Sequence, residues 1–273
     1  MFPSFVLSLR EGLEAALIIG ILMGALSKIP QEGLRRAVWL GVGAACGLGL
    51  LSALLLHALG AELEGVNEIV FEGFTLLLAS ALLTWMIFWM ARQARFLKSD
   101  LETGVRMALL HGGKQALFFL AFVSVLREGV ELALYLTATA LSANGLQVLT
   151  GSLLGLGSAA LLGFALFASL IRLNLRRFFS LTGLLLIFFA AGMAAHSVRE
   201  FTEIGWIPVL VPHIWNTNFL INENSALGQA LSALFGYSGS PSLIELIIYL
   251  GYFITVGVGR LLSRNTRTRV ETA

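Results

Sequence analysis

The chain has 273 residues, of which 57% are hydrophobic and 12% charged, with a formal net charge of +2 and a mean hydropathy of +0.85. An average soluble domain is about 25% charged, and several apolar runs here exceed about 18 residues, so a soluble globular protein is excluded. A transmembrane β-barrel is excluded too, because no segments of about ten residues with alternating polarity occur.

Seven apolar segments read as membrane-spanning helices, at about 4–27, 37–60, 70–91, 116–142, 146–171, 178–199 and 242–262. The start, MFPSFVLSLREG, lacks a basic n-region, so no cleavable signal peptide is expected. Span 1 contains LREGLEA (Leu9 to Ala15), where Arg10, Glu11 and Glu14 interrupt a lipid-compatible stretch. Lys28, Arg35 and Arg36 make the following link basic. Span 2 carries Gly41, Gly43, Gly47 and Gly49, a small-residue packing face, and Cys46, a lone cysteine that rules out an intrachain disulfide or a thiolate cluster. The link to span 3 is acidic, with Glu62, Glu64 and Glu68, and Glu72 follows inside the span. Glu64, Glu68 and Glu72 fall at i, i+4 and i+8. They form either an outer cluster that collects cations or a solvated acidic loop whose last member suits the positive end of a helix dipole.

Arg92, Arg95, Lys98, Arg106 and Lys114 occupy the 3–4 link, and span 4 then repeats the anomaly as LREGVEL (Leu126 to Leu132), with Arg127, Glu128 and Glu131. The 4–5 link around SANGLQ is uncharged, span 5 carries Gly151 and Gly155, and the 5–6 link carries Arg172, Arg176 and Arg177. Span 6 ends on His196, Arg199, Glu200 and Glu203. These are either an outer entry site for a cation or a polar helix end with Arg199 pairing locally. The outer link, about 200–241, holds WIPVLVPHIW (Trp206 to Trp215), too short to span and expected to be re-entrant or to lie flat, then Asn216, Asn218, Asn222 and Asn224. SLIE (Ser242 to Glu245) after Pro241 fits a capping box at the start of span 7, and the tail is basic. His57, His111 and His213 read as structural, Met86, Met90 and Met193 as packing, and Trp85, Trp89, Trp206 and Trp215 as an interfacial belt.

All basic clusters fall on alternate links, which puts the N-terminus outside and the C-terminus inside. The copies FVLSLREGLEAAL (Phe5 to Leu17) and FVSVLREGVELAL (Phe122 to Leu134) agree at nine of thirteen positions. They sit three spans apart, so the two helices run in opposite directions. That is an inverted repeat of spans 1–3 (repeat A, about 4–91) and 4–6 (repeat B, about 116–199), with span 7 added, in a single membrane domain covering residues 1–273.

In R-E-G-x-E the glutamates are i and i+3, roughly 60° apart on one helix face and about 4.5 Å apart along the axis. Both pairs fall near mid-membrane, so four carboxylates converge if the helices cross. Four carboxylates in a low-dielectric site repel, and a hard multivalent cation removes the conflict. Arg10 and Arg127 offset part of the charge and orient carboxylates. Gly12 and Gly129 are expected to let the two motif backbones approach. An Arg–Glu pair that only satisfies itself is the alternative, but two copies with surplus carboxylate inside costly spans point to function.

Paired REGLE-type motifs in spans 1 and 4 of a seven-span protein resemble the iron permease family of fungal high-affinity iron permeases and bacterial EfeU-type transporters. Val130 replaces the motif leucine in the second copy, and FEGFTLLLASALLTWMIFWM from Phe71, with Trp215, Asn216, Gly236, Tyr237 and Pro241, echoes the family more weakly. The resemblance implies Glu11, Glu14, Glu128 and Glu131 as iron ligands, with Arg10 and Arg127 behind them. Iron is then a transported substrate rather than a bound cofactor, and the chain is not an enzyme. The membrane is a bacterial inner membrane, with outer-side iron-handling partners such as an oxidase, a peroxidase or a metal-binding factor, and no nucleic acid. A permease for manganese or lead has the same donor chemistry. A membrane di-metal carboxylate enzyme would use Glu-x-x-His, which no span contains.

Overall fold

The computed structural model describes all residues except 28, 30–31, 62, 94–96, 142–143, 169–174, 209–210, 223–224, 226–227, 229–230, 233–234 and 271–273. Glu62, Asn224 and the side chains of Met90 and His111 therefore lie outside the described residues. Eight helices and no strand occur among the described residues: α1 (Phe2–Leu26), α2 (Glu32–Ala61), α3 (Val66–Gln93), α4 (Leu97–His111), α5 (Gly113–Leu141), α6 (Gly145–Phe167), α7 (Leu175–Glu203) and α8 (Leu243–Val270).

Seven of these coincide with the expected spans. By length and composition, α2, α3, α6 and α7 contain stretches apolar enough to cross a membrane, and α8 contains a shorter apolar stretch, Leu243–Gly259. α1 and α5, with 25 and 29 residues, are long enough as well. Each differs from the four by carrying the motif's one arginine and two glutamates along its length. α4 was not expected. Its apolar positions, Leu101, Val105 and Ala108, are buried on one face while Glu102 and Arg106 are exposed, so it is amphipathic and carries no long apolar run. A turn through Gly113, at φ +55, separates α4 from α5, a conformation glycine adopts without cost. Elsewhere the ends follow local chemistry. Pro3 sits in the first turn of α1, and the Leu146 amide donates to the side-chain Oδ1 of Asn144 at 2.9 Å to cap α6.

The described residues form two compact units, interleaved along the chain. The first comprises 1–62 and 92–182, hence α1, α2, α4, α5 and α6; the second comprises 63–91 and 183–273, hence α3, most of α7, and α8. In the first unit α1 packs along α6, α2 along α5, and α1 also meets α5. The contacts are reciprocal. A side chain at Gly41 of α2 would come within 2.5 Å of the Phe118 carbonyl at the start of α5, and one at Gly151 of α6 would meet the Met1 carbonyl at the start of α1. The motif glycines serve these same crossings: Gly12 faces Ala159 and Leu156 of α6, and Gly129 faces Gly49 of α2. This corrects the expectation that they bring the two motif backbones together. Glycine follows glutamate by one residue, about 100° round the helix, so it points to a different neighbour from the carboxylates.

At one end of this unit, Ile18, Leu22 and Leu26 of α1, Val38 and Val42 of α2, Leu101 and Val105 of α4, and Leu117, Ala121 and Val125 of α5 form a continuous apolar core. The C-terminal half of α1 thus packs with the N-terminal half of α5, so the two motif helices are antiparallel.

In the second unit the Ser80 hydroxyl donates to the Ala190 carbonyl at 2.7 Å, and the Thr84 and Tyr252 hydroxyls lie 2.7 Å apart, joining α3 to α7 and to α8. Gly192 of α7 packs against Gly236 of the preceding loop to α8. Among its described residues, 204–221 form no helix; the Ile214 amide donates to the Pro241 carbonyl and the Leu243 amide to the Val211 carbonyl, both at 3.1 Å, so this apolar segment runs beside the start of α8. The expected capping box is present: the Ser242 hydroxyl donates to Glu245 Oε1 at 3.0 Å and the Glu245 amide to the Ser242 hydroxyl at 3.3 Å.

Gly41→Ala is expected to lower stability by about 1–3 kcal/mol, because a methyl group meets backbone that cannot rotate away. Gly43→Ala, whose added carbon meets nothing within 4 Å, is expected to be neutral. Thermal unfolding of the two purified variants in one detergent compares them directly.

Candidate metal site

Helical spacing puts Glu11 and Glu14 on one face of α1, and Glu128 and Glu131 on one face of α5. The α1–α5 contact turns these faces toward each other. All four carboxylates are buried, with residue exposures of 1% for Glu11, 4% for Glu14, 6% for Glu128 and 7% for Glu131. One carboxylate oxygen each from Glu11, Glu128 and Glu131 lies within 4.8 Å of the other two, a spacing at which three residues can share one metal ion. Metal–oxygen bonds of about 2.0–2.6 Å put two ligating oxygens no more than about 5 Å apart. Glu11 Oε2, Glu128 Oε2 and Glu131 Oε2 are all buried without a hydrogen-bond partner. Buried polar atoms are normally satisfied, so these three acceptors are exceptions gathered in one group, within which the Glu11 and Glu128 carboxyls lie close enough to share a proton.

The arginines divide the remaining work unequally. Arg10 is only 2% exposed and forks between its own two glutamates, with Nη1 at 2.7 Å from Glu11 Oε1 and Nη2 at 2.9 Å from Glu14 Oε1. Glu14 thus lies beside the three-carboxylate group, held by a guanidinium. Arg127 reaches Glu131 Oε1 through Nε at 2.9 Å, and its side chain is 31% exposed. The sequence copies are nearly identical; their surroundings are not.

Sequence reasoning missed two hydroxyls here. Tyr135 and Ser8 are both completely buried, and neither hydroxyl has a hydrogen-bond partner. Tyr135 stands four residues after Glu131 and Ser8 three before Glu11, spacings that share a helix face with these glutamates. That periodicity was the available signal.

The other acidic candidates gather in the second unit. Glu72 of α3 lies within electrostatic range of Glu68 and Glu203, and Glu200 of α7 within range of Glu203, Glu72 and Arg199. Glu64 departs from the expected common face, since it precedes α3 and Gly65, at φ +63, breaks the helical phase. Only Glu68 and Glu72 keep the i, i+4 relation. Arg199 Nε stands 3.5 Å from Glu203 Oε1 in a largely exposed pair, as local pairing requires, and His196 Nδ1 lies 3.1 Å from the Gly192 carbonyl of its own helix. Asn216 uses its side-chain carbonyl to accept from the Asn218 amide at 3.0 Å, closing a turn.

The model of the iron permease FTR1 family matches residues 1–263. The chain is 35% identical over 256 residues to the ferrous iron permease EfeU of Escherichia coli O6:K15:H31 (strain 536 / UPEC), covering 93% of each chain. It is 35% identical over 256 residues to that of Shigella sonnei (strain Ss046), again 93% of each chain. Against that of Yersinia pestis the identity is 34% over 256 residues, covering 93% of this chain and 91% of the relative. No solved structure matches the chain.

Arg10→Ala strands two buried carboxylates and is expected to cost about 3–5 kcal/mol. Arg127→Ala, at a partly exposed position, is expected to cost markedly less. Melting temperatures with and without added Mn(II) read both effects, and the cation is expected to recover part of the Arg10→Ala loss.

Proposed function

The chain belongs to the iron permease FTR1 family and is a membrane iron permease, and from this premise we propose that iron crosses the membrane through the carboxylates of Glu11, Glu14, Glu128 and Glu131. The observation that carries the assignment is that Glu11, Glu128 and Glu131, all buried, each bring a carboxylate oxygen within 4.8 Å of the other two. Carboxylate oxygen suits a hard cation such as oxygen-preferring iron. Counted as ionised, four glutamates against two arginines leave two negative charges, which a divalent ion cancels. Arg10 acts as the resident cation for Glu14 and limits repulsion when iron has left. The protein moves the ion and makes or breaks no covalent bond.

The seven long helices are the spans, and α4 lies on the inner surface. Helices α1–α3 and α5–α7 are inverted repeats. Exchanging the two halves exchanges the α1–α6 pairing for the α5–α2 pairing, and the Gly151–Met1 contact for the Gly41–Phe118 contact, which supports this reading. The basic links face the cytoplasm of a bacterial inner membrane, with the N-terminus outside. Glu72, Glu68, Glu200 and Glu203 collect iron on the outer side, with Glu64 and His196 at the margin. Outer-side iron-handling proteins deliver it. The apolar core capped by α4 blocks the inner side of the site, so release requires that core to part. A charged ion cannot cross packed Leu, Ile and Val side chains unaided.

Iron uptake by cells carrying Glu14→Ala or Glu131→Ala, at matched protein levels, tests the site. Each substitution is expected to abolish uptake, and survival of uptake in both overturns the assignment. Glu245→Gln is expected to leave uptake intact, since Glu245 is a helix cap. In the same assay, Glu72→Gln and Glu200→Gln are expected to raise the iron concentration for half-maximal uptake while sparing the maximal rate. Competition by Mn(II) and Pb(II) ranks the site's preference among cations.

A further inference from the structure

An ion held by three carboxylates still needs further oxygens, because hard cations of this size take about six ligands and keep water where protein supplies none. One end of the site is closed to water by the core of Ile18, Leu22, Val38, Leu117 and Val125. The other end lies toward the N-terminus of α1 and the C-terminus of α5, since the helices are antiparallel. Tyr135 stands at that end, one turn beyond Glu131 on α5. Its side chain is fully buried, and its hydroxyl has no hydrogen-bond partner. It lies within electrostatic range of Glu11, Glu131, Arg10 and Glu128, the groups of the site itself. Ser8, one turn before Glu11 on α1, offers a second buried hydroxyl without a partner toward the same end.

A buried phenol hydroxyl without a partner is disfavoured, and phenylalanine fills the same space without that penalty. The hydroxyl is accounted for if its partner arrives with the cargo. We propose that Tyr135 is a further iron-binding residue, whose neutral hydroxyl oxygen accepts a hydrogen bond from a water molecule carried by the iron ion at the end of the carboxylate site away from the apolar core. The residue thereby holds a partly hydrated ion in place while the glutamates displace its other waters. This inference rests on the carboxylate site proposed above and extends it by one oxygen that no REGxE motif contains.

The test compares purified Tyr135→Phe with wild type and with Glu128→Gln, using Fe(II) alone under oxygen-free reducing conditions. Tyr135→Phe is expected to weaken Fe(II) binding about tenfold, the loss of about 1.4 kcal/mol, while the metal-free protein melts at the wild-type temperature or above. A structural role predicts the reverse, a lower melting temperature with iron affinity retained, and that result overturns the proposal. So does wild-type Fe(II) affinity in Tyr135→Phe when Glu128→Gln has lost binding. Wild-type affinity in Glu128→Gln itself removes the carboxylate reading, and the Tyr135 proposal with it.

Discussion

Arg10 is held between Glu11 and Glu14 at 2.7 and 2.9 Å with almost no access to solvent. Neither the helix nor its surroundings tolerate this arrangement cheaply. Burying a charged side chain away from water is costly unless it is paired, and α1 carries three. Opposite them, α5 brings two more carboxylates and one arginine. Among these side chains two arginines stand against four glutamates, and charges of either sign must be kept out of lipid. The packing of that unit follows from this requirement: α1 and α5 must present their charged faces to each other, which leaves their other faces for α6 and α2.

The two copies of the motif divide their roles despite near identity. Arg10 is sealed in and occupied by both of its glutamates; Arg127 is partly exposed and holds Glu131. Glu14 is thereby set apart, while Glu11, Glu128 and Glu131 keep oxygens open. The two copies are nearly identical in sequence, but the two ends of the carboxylate group differ. The apolar core lies on one side of the carboxylates and two hydroxyls without partners lie toward the other. That polarity is a property of the packed helices.

Much of this was legible in the sequence for simple reasons. Long apolar runs announce helices of membrane-crossing length, and i, i+3 glutamates in two of them announce a shared face. SLIE announced the cap that Ser242 and Glu245 form. What escaped has equally simple causes. α4 is amphipathic and short, so hydropathy alone passes over it. Gly12 and Gly129 were legible as close-contact positions but not as contacts with α6 and α2, because a lone motif does not say which neighbour a face will meet. Tyr135 is one more aromatic in an apolar run of sequence, and only its burial beside the carboxylates distinguishes it. Glu64 was misplaced by assuming that helical phase ran back through Gly65.

The reciprocal pairing of α1 with α6 and of α2 with α5 has a consequence for biosynthesis. α1 is made first, yet both of the helices it packs most against in the finished protein, α5 and α6, are made after α4. In the interval its arginine and two glutamates have only one another as partners. Final assembly then depends on a late event, the arrival of α5 and α6, rather than on sequential insertion of finished hairpins.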